Sequence, residues 1–296
     1  MRKLIGILAL SLAAAGTATA QDYEIHGYEA LYGTYINYGG SGLKDYGWVG
    51  TGYLAIGDGK EHTFQLGYAY TKIKYKNEPD LNQNDITVAY SNTNGILKNH
   101  TFTFGGHYIS SDDELTDRGF TLFFDGTHSS YSKTYPYYFN WAGGIGLYYT
   151  RYPNTVDFYT FQATPHATFR LFSDYRRGAL YLDLAGYGIH VDKSSRLGLS
   201  KSNYYSGEAA LRYYYGNYDL KVGGWVGQQV FAVKKGGFVV YNLAEKYKGG
   251  AFAEVGYTFK NGLRLSFNAE YNRYKELETG DDVDQTVFTL SLGYRF

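Results

Sequence analysis

Along most of this chain alternate residues sort into two faces. Across 285–296, Thr286, Phe288, Leu290, Leu292, Tyr294 and Phe296 share one face, and Gln285, Val287, Thr289, Ser291, Gly293 and Arg295 share the other. A period of two is the signature of a strand with one greasy and one mostly polar side. The stretch 263–274 repeats it, with Leu263, Leu265, Phe267, Ala269 and Tyr271 set against Arg264, Ser266, Asn268, Glu270 and Asn272. So does 156–171, where Tyr159, Phe161, Ala163, Ala167, Phe169 and Leu171 alternate with Thr160, Gln162, Thr164, His166, Thr168 and Arg170.

Read this way, the chain predicts strands at Tyr28–Tyr38, Tyr46–Ile56, His62–Tyr75, Asp85–Ser91, Asn99–Ser110, Arg118–Thr127 and Tyr137–Thr150. The second half continues with Val156–Leu171, Ala179–Val191, Tyr204–Tyr215, Tyr218–Phe231, Gly249–Phe259, Leu263–Tyr274 and Val283–Phe296. That is about 14 strands, most near the length that crosses a bilayer at a barrel's tilt. Links after even strands are tight and turn-rich, as at Gly57–Lys60, Asn92–Gly95, Tyr215–Tyr218 and Lys260–Gly262. Their Asn-Gly and Gly-Asn pairs supply the positive φ that close hairpins need. Links after most odd strands carry more charge, notably Asp192–Asn203, Lys234–Lys248 and Lys275–Asp282. The link His128–Pro136 is long for the tight class, so 12 or 16 strands stay open.

A soluble sandwich also alternates, but its turns come every 8 to 12 residues or so and its inward face is aliphatic. Here the repeat is nearer 20, and the greasy face is aromatic. The chain holds 35 Tyr and 18 Phe beside 38 Gly and 4 Pro. Rings with one dry and one wet end suit a membrane interface. In hydrocarbon no backbone N–H or C=O goes unpaired, so such a sheet must close on itself. The predicted fold is all-β: a transmembrane antiparallel β-barrel.

The N-terminus MRKLIGILALSLAAAGTATAQD has Arg2 and Lys3, an apolar run from Leu4 to Ala15, and small residues Ala18-Thr19-Ala20 before Gln21. This predicts a secretory signal peptide over 1–20 and one barrel domain over 21–296. The chain has no cysteine, which removes disulfide and thiolate chemistry, and its 28 basic and 28 acidic residues balance, which gives no reason to expect nucleic acid.

The terminal pattern Phe288, Leu290, Leu292, Tyr294, Phe296 resembles the last-strand signal of Gram-negative outer-membrane β-barrel proteins. That resemblance implies residence in the outer membrane, contact with its lipids, and recognition of Tyr294 and Phe296 by the barrel-assembly machinery. It implies a porin-like channel for passive or selective diffusion of small solutes. The rival is a structural or docking barrel that holds an envelope protein. Uptake of hydrophobic compounds is weakened because few residues precede the first strand.

The polar face nominates His166, Arg170, Glu208, Arg212, Lys221, Glu254, Arg264, Asn268, Glu270 and Arg295 as pore-lining residues. Opposed charges across a wet lumen can act as a selectivity filter. The link 234–248, with Gly236 and Gly237, is expected to narrow the mouth only, since no link looks large enough to plug the bore. His128 and Ser130 form an H-x-S pair that resembles the active stretch of outer-membrane phospholipases and lipid A deacylases. Tyr131 and Ser132 replace the Asn and Gly that follow there, and a polar turn explains the stretch more simply. The acids Asp281, Asp282 and Asp284, and Asp112, Asp113 and Glu114, read as solvated loop groups. No catalysis, metal or cofactor is expected.

Overall fold

The computed structural model describes residues 25–132 and 139–296. The expected signal peptide and part of the link before the seventh strand fall outside the described residues. The first strands are β1 (His26–Gly39), β2 (Lys44–Gly57), β3 (His62–Tyr75), β4 (Leu81–Thr93) and β5 (His100–Ser111). They are followed by β6 (Phe120–Tyr131), β7 (Phe139–Tyr152), β8 (Phe158–Asp174), β9 (Gly178–Val191), β10 (Asn203–Tyr215) and β11 (Tyr218–Gln229). A short hairpin, β12 (Val233–Lys234) and β13 (Val239–Val240), precedes β14 (Glu245–Thr258), β15 (Leu263–Glu276) and β16 (Asp282–Arg295).

Fourteen of these close into an antiparallel barrel in sequence order, and β12–β13 form a separate two-stranded sheet. Closure pairs β1 with β16, from Tyr28 opposite Arg295 to Gly39 opposite Asp284. The last residue takes part, since Gly27 N–H donates to the Phe296 carbonyl at 2.8 Å and Phe296 N–H returns to the Gly27 carbonyl at 3.0 Å. A Cβ on Gly27 would sit 2.2 Å from the Phe296 ring, so the absent side chain lets the terminal ring lie flat over the seam. With the seam sealed, none of the fourteen described barrel strands keeps an open edge in lipid.

The outward face is the greasy one. Phe64, Leu66, Tyr68 and Tyr70 on β3 and Phe288, Leu290, Leu292 and Tyr294 on β16 are large, apolar or aromatic, and exposed. In a protein surrounded by water such a band would be a liability, whereas in hydrocarbon it is the solvated surface. Both ends of the barrel domain and the short turns lie at one end of the barrel, which by this asymmetry is the periplasmic end. The links 191–203 and 229–245 lie at the other.

Candidate functional site: the lumen

The interior divides into two zones along the axis. Toward the periplasmic end it is polar, and most of the nominated side chains meet partners there. On β15, Arg264 donates to Asp219 at 2.6 Å and to Glu254 at 2.8 Å. It reaches Asp219 across β14, where a Cβ on Gly256 would fall 2.4 Å from the Asp219 carboxylate and 2.5 Å from the guanidinium. Glycine at 256 is therefore what allows that ion pair to lie against the wall. Arg212 donates to Asp183 at 2.7 Å. Arg170 donates to Asn140 at 2.9 Å, and His166 bonds Asp125 at 2.8 Å.

Glu270 accepts from Asn272 at 2.8 Å, and Lys221 lies 5.2 Å from the centre of the Phe252 ring. Asn268 stands in register between Glu254 and Thr289. Arg295 sits exposed at the periplasmic rim, apart from these pairs.

Charge is concentrated on one arc of this zone. From β2 to β5 hydroxyls and amides line this zone, with Tyr53 donating to Gln65 at 2.7 Å, Gln65 to Ser91 at 3.1 Å, and Ser91 bonded to Thr103 at 2.8 Å, while the buried pair of Asp85 and His107, 3.3 Å apart, lies farther from the periplasmic turns on β4 and β5. The ion pairs named above lie between β6 and β15. The bore thus carries hydroxyls and amides on one side and paired charges on the other.

The extracellular zone is different. Ile109, Tyr152, Phe158, Ile189, Val191 and Tyr204 project inward and pack against Val230, Phe231 and Ala232 from the link after β11. On the other side Tyr38, Tyr247, Tyr274 and Val283 form a second cluster with Trp225. Tyr241 packs against both. Below the link's tip, a third cluster joins Val233 to Ala89, Phe123 and Tyr148.

The expectation that this link narrows only the mouth is corrected here. A bulge between Val226 and Gln229, with Gly227 at φ 117°, bends the end of β11. The chain then turns inward through Phe231, whose left-handed φ of 52° is held by full burial. It crosses the whole bore, because Asn242 donates to Gln83 on β4 at 2.8 Å and β4 stands opposite β11 in the ring. At the tip Phe238 meets Tyr53 edge-on at 5.4 Å and fills the space that a side chain at Gly67 would need. Those residues lie in the middle reaches of β2 and β3.

Two charged clusters secure this segment. At its base Lys44 donates to Glu245 at 2.7 Å and Glu276 at 2.8 Å, all three almost fully buried. Glu276 also accepts from Ser41, and Glu245 from Tyr247. Near its tip Lys234 reaches Glu208 at 3.4 Å, with its ammonium 4.8 Å from the Trp225 ring centre and 5.3 Å from that of Tyr187. Burial outweighs the nearby carboxylates and moves Lys234 below its ordinary pKa. A cavity of about 410 Å³ lies beneath, bounded by Gln65, Thr103, Thr164, His166, Lys235 and Phe238 among others.

Periodicity missed Lys234, Trp225, Tyr187, Asp183 and Asp219. The two aspartates share parity with Tyr181 and Lys221 on their strands and were legible; Lys234 was not, because nothing in a link's sequence says that it folds inward. His128 and Ser130 point outward near the periplasmic end. The His128 ring sits 4.6 Å from His100 and 5.5 Å from Trp141, in an interfacial aromatic row, and no described hydrogen bond joins it to Ser130. The loop acids are engaged within the loops: Asp281 accepts from Gly42 N–H at 2.9 Å, Asp284 pairs with Arg273 at 3.1 Å, and Asp282 pairs with Lys248. Among the described residues no cluster has the makings of a metal site.

No family model and no curated relative matches the chain. Solved structures do. The CymD monoaromatic hydrocarbon channel aligns over 93% of this chain and 89% of its own, at 9% identity and a TM-score of 0.56. The outer membrane protein Omp33 of Acinetobacter baumannii aligns over 93% of this chain and 100% of its own, at 11% identity and a TM-score of 0.47. OccD1 (OprD) aligns over 94% and 97%, at 11% identity and a TM-score of 0.46. At such identities the likeness speaks to fold, and the fold is a transmembrane β-barrel.

Proposed function

We propose that this chain is an outer-membrane channel of a Gram-negative bacterium through which small solutes diffuse, and that the segment after β11 is its gate. One observation carries the reading. Between residues 233 and 240 the hairpin shares no described backbone ladder with the wall, and the wall holds its backbone only through the Gln162 side chain on β8, which accepts from Val233 N–H at 2.8 Å and donates to the Val233 carbonyl at 2.6 Å, so it can leave the lumen without breaking any ladder of the wall. At 14 strands the bore is wider than wall side chains can fill, a limit reached near about 8 strands. What fills it is a detachable element. Below the gate, the paired charges of Arg264, Arg212 and His166 would set preference among solutes without chemistry. Placement in the membrane would use the outward aromatic band and lipid contact, with Tyr294 and Phe296 read by the assembly machinery.

The test replaces Val233–Val240 by a short Gly-Ser link and compares planar-bilayer currents with those of the parent. The expected result is rare or small openings in the parent and steady, larger conductance in the variant. A variant that folds as a barrel and stays silent would refute the channel. That outcome would favour the docking barrel, to which the filled extracellular zone is equally suited.

A further inference from the structure

Lys234 sits in surroundings ill matched to an ammonium group. A lysine head carries three N–H donors. Among the described residues its one acceptor is Glu208, at a long 3.4 Å. The remaining neighbours are rings: Trp225 at 4.8 Å, Tyr187 at 5.3 Å and Tyr241 at 5.8 Å from ring centre to nitrogen. Tyr187 OH donates to the same Glu208 at 3.2 Å and so holds that carboxylate in place. Glu270 adds a second negative charge close enough to act on Lys234.

A cage of ring faces and carboxylates, poor in acceptors, suits a cation that has no N–H to satisfy and little hydration to lose. A quaternary ammonium group meets both conditions, and ring faces attract it electrostatically. Three of the cage residues belong to the wall, Tyr187 on β9, Glu208 on β10 and Trp225 on β11, so the cage outlasts departure of the hairpin. It borders the 410 Å³ cavity, which Tyr187 and Lys234 both line. Access from the periplasmic zone is therefore at hand.

We infer that Glu208, Tyr187 and Trp225 form a binding site for solutes bearing a quaternary ammonium group, and that Lys234 occupies it as an internal stand-in when the hairpin is seated. The inference rests on the gated-channel reading for its physiological sense. A solute of this class would compete with Lys234 for the cage and so favour release of the gate.

The test titrates tetramethylammonium chloride into the refolded full-length mature barrel, followed by calorimetry, with sodium chloride as the blank. Lys234→Met vacates the cage and is expected to bind saturably, with the parent about tenfold weaker because its lysine competes. Adding Glu208→Gln to Lys234→Met should abolish the signal. Lys234→Gln serves as a second vacated form, and a heat-modifiable gel shift verifies that each variant is a closed barrel. Binding no tighter in either vacated form than in the parent, or binding indifferent to Glu208→Gln, would overturn the inference. Heat is read rather than current, so the two readings fail separately. A protein that binds but never conducts keeps the cage and loses the channel; one that conducts without binding does the reverse.

Discussion

The two zones of the lumen use the same wall and opposite chemistry. Toward the outside, tyrosines and aliphatic residues enclose Phe231 and its neighbours, and the charges of Lys44, Glu245 and Glu276 are buried together. Toward the periplasm, Arg264, Asp219 and Glu254 keep about a fifth to a third of their side-chain surface exposed. A barrel with outward hydrocarbon contact has no need of an apolar interior, so an apolar zone inside it must serve something other than wall stability. Here it seats a segment that is not part of the wall. The zones should therefore answer to mutation differently: the outer one in the energy of seating, the inner one in selectivity.

The largest effects belong to the outer zone. Phe231→Ala removes a fully buried ring from its contacts with Tyr152 and Phe158, 5.5 Å and 5.0 Å between ring centres. A loss of about 3–5 kcal/mol in seating is expected, seen as a large rise in open probability in a planar bilayer. An unchanged current trace would mean that the apolar zone does not close the bore. Lys44→Met leaves two carboxylates buried without their cation and should cost about 3–5 kcal/mol, read from urea unfolding in detergent micelles. Adding Glu245→Gln and Glu276→Gln should restore most of that loss.

The inner zone gives smaller changes in stability. Gly256→Ala places a methyl between Asp219 and Arg264 and is expected to cost about 1–3 kcal/mol by displacing their pair. Arg264→Ala should cost about 1 kcal/mol or less, since water reaches the carboxylates it leaves. Its signature is a reversal potential moved toward cations, because Asp219 and Glu254 then face the lumen unneutralised. An equal loss of stability for Arg264→Ala and Lys44→Met would erase the distinction between the zones.

The smallest effect is a pH dependence of the gate. Glu208 and Glu270 favour the charged form of Lys234, while burial and Lys235 oppose it, and burial prevails, so its pKa falls below 10.5. The seated state thus binds fewer protons than the released state in the window below that value, and seating strengthens as pH rises. Open probability should fall modestly as pH rises toward 10.5, the ordinary lysine value, and the fall should be absent in Lys234→Met. A rise in the parent would contradict the assignment.

Much of the fold is legible in the sequence. Period-two alternation placed the strands to within a few residues, and the alternation of link types located both ends. Boundaries slipped where a strand left lipid: β4 begins at Leu81 rather than Asp85, and β14 at Glu245 rather than Gly249. Beyond the bilayer nothing enforces the greasy parity, so the pattern fades while the ladder continues. The nominated inward residues do lie on the polar parity, yet which charges pair was not legible. Arg264 finds Asp219 across an intervening strand, past Gly256, and that depends on register and on an absent side chain.

Sequence alone determined that this chain is a closed, lipid-facing sheet, because hydrocarbon permits no unpaired backbone and each strand must show it a greasy side. Only the tertiary structure decided that the barrel is occupied. The residues of 230–244 carry no periodic signal, and their path inward follows from a bulge at Gly227 and from tyrosines on strands far away in the chain. Solvent imposes its pattern on every strand separately, whereas a gate exists only in the fit between a link and a lumen that many strands build together.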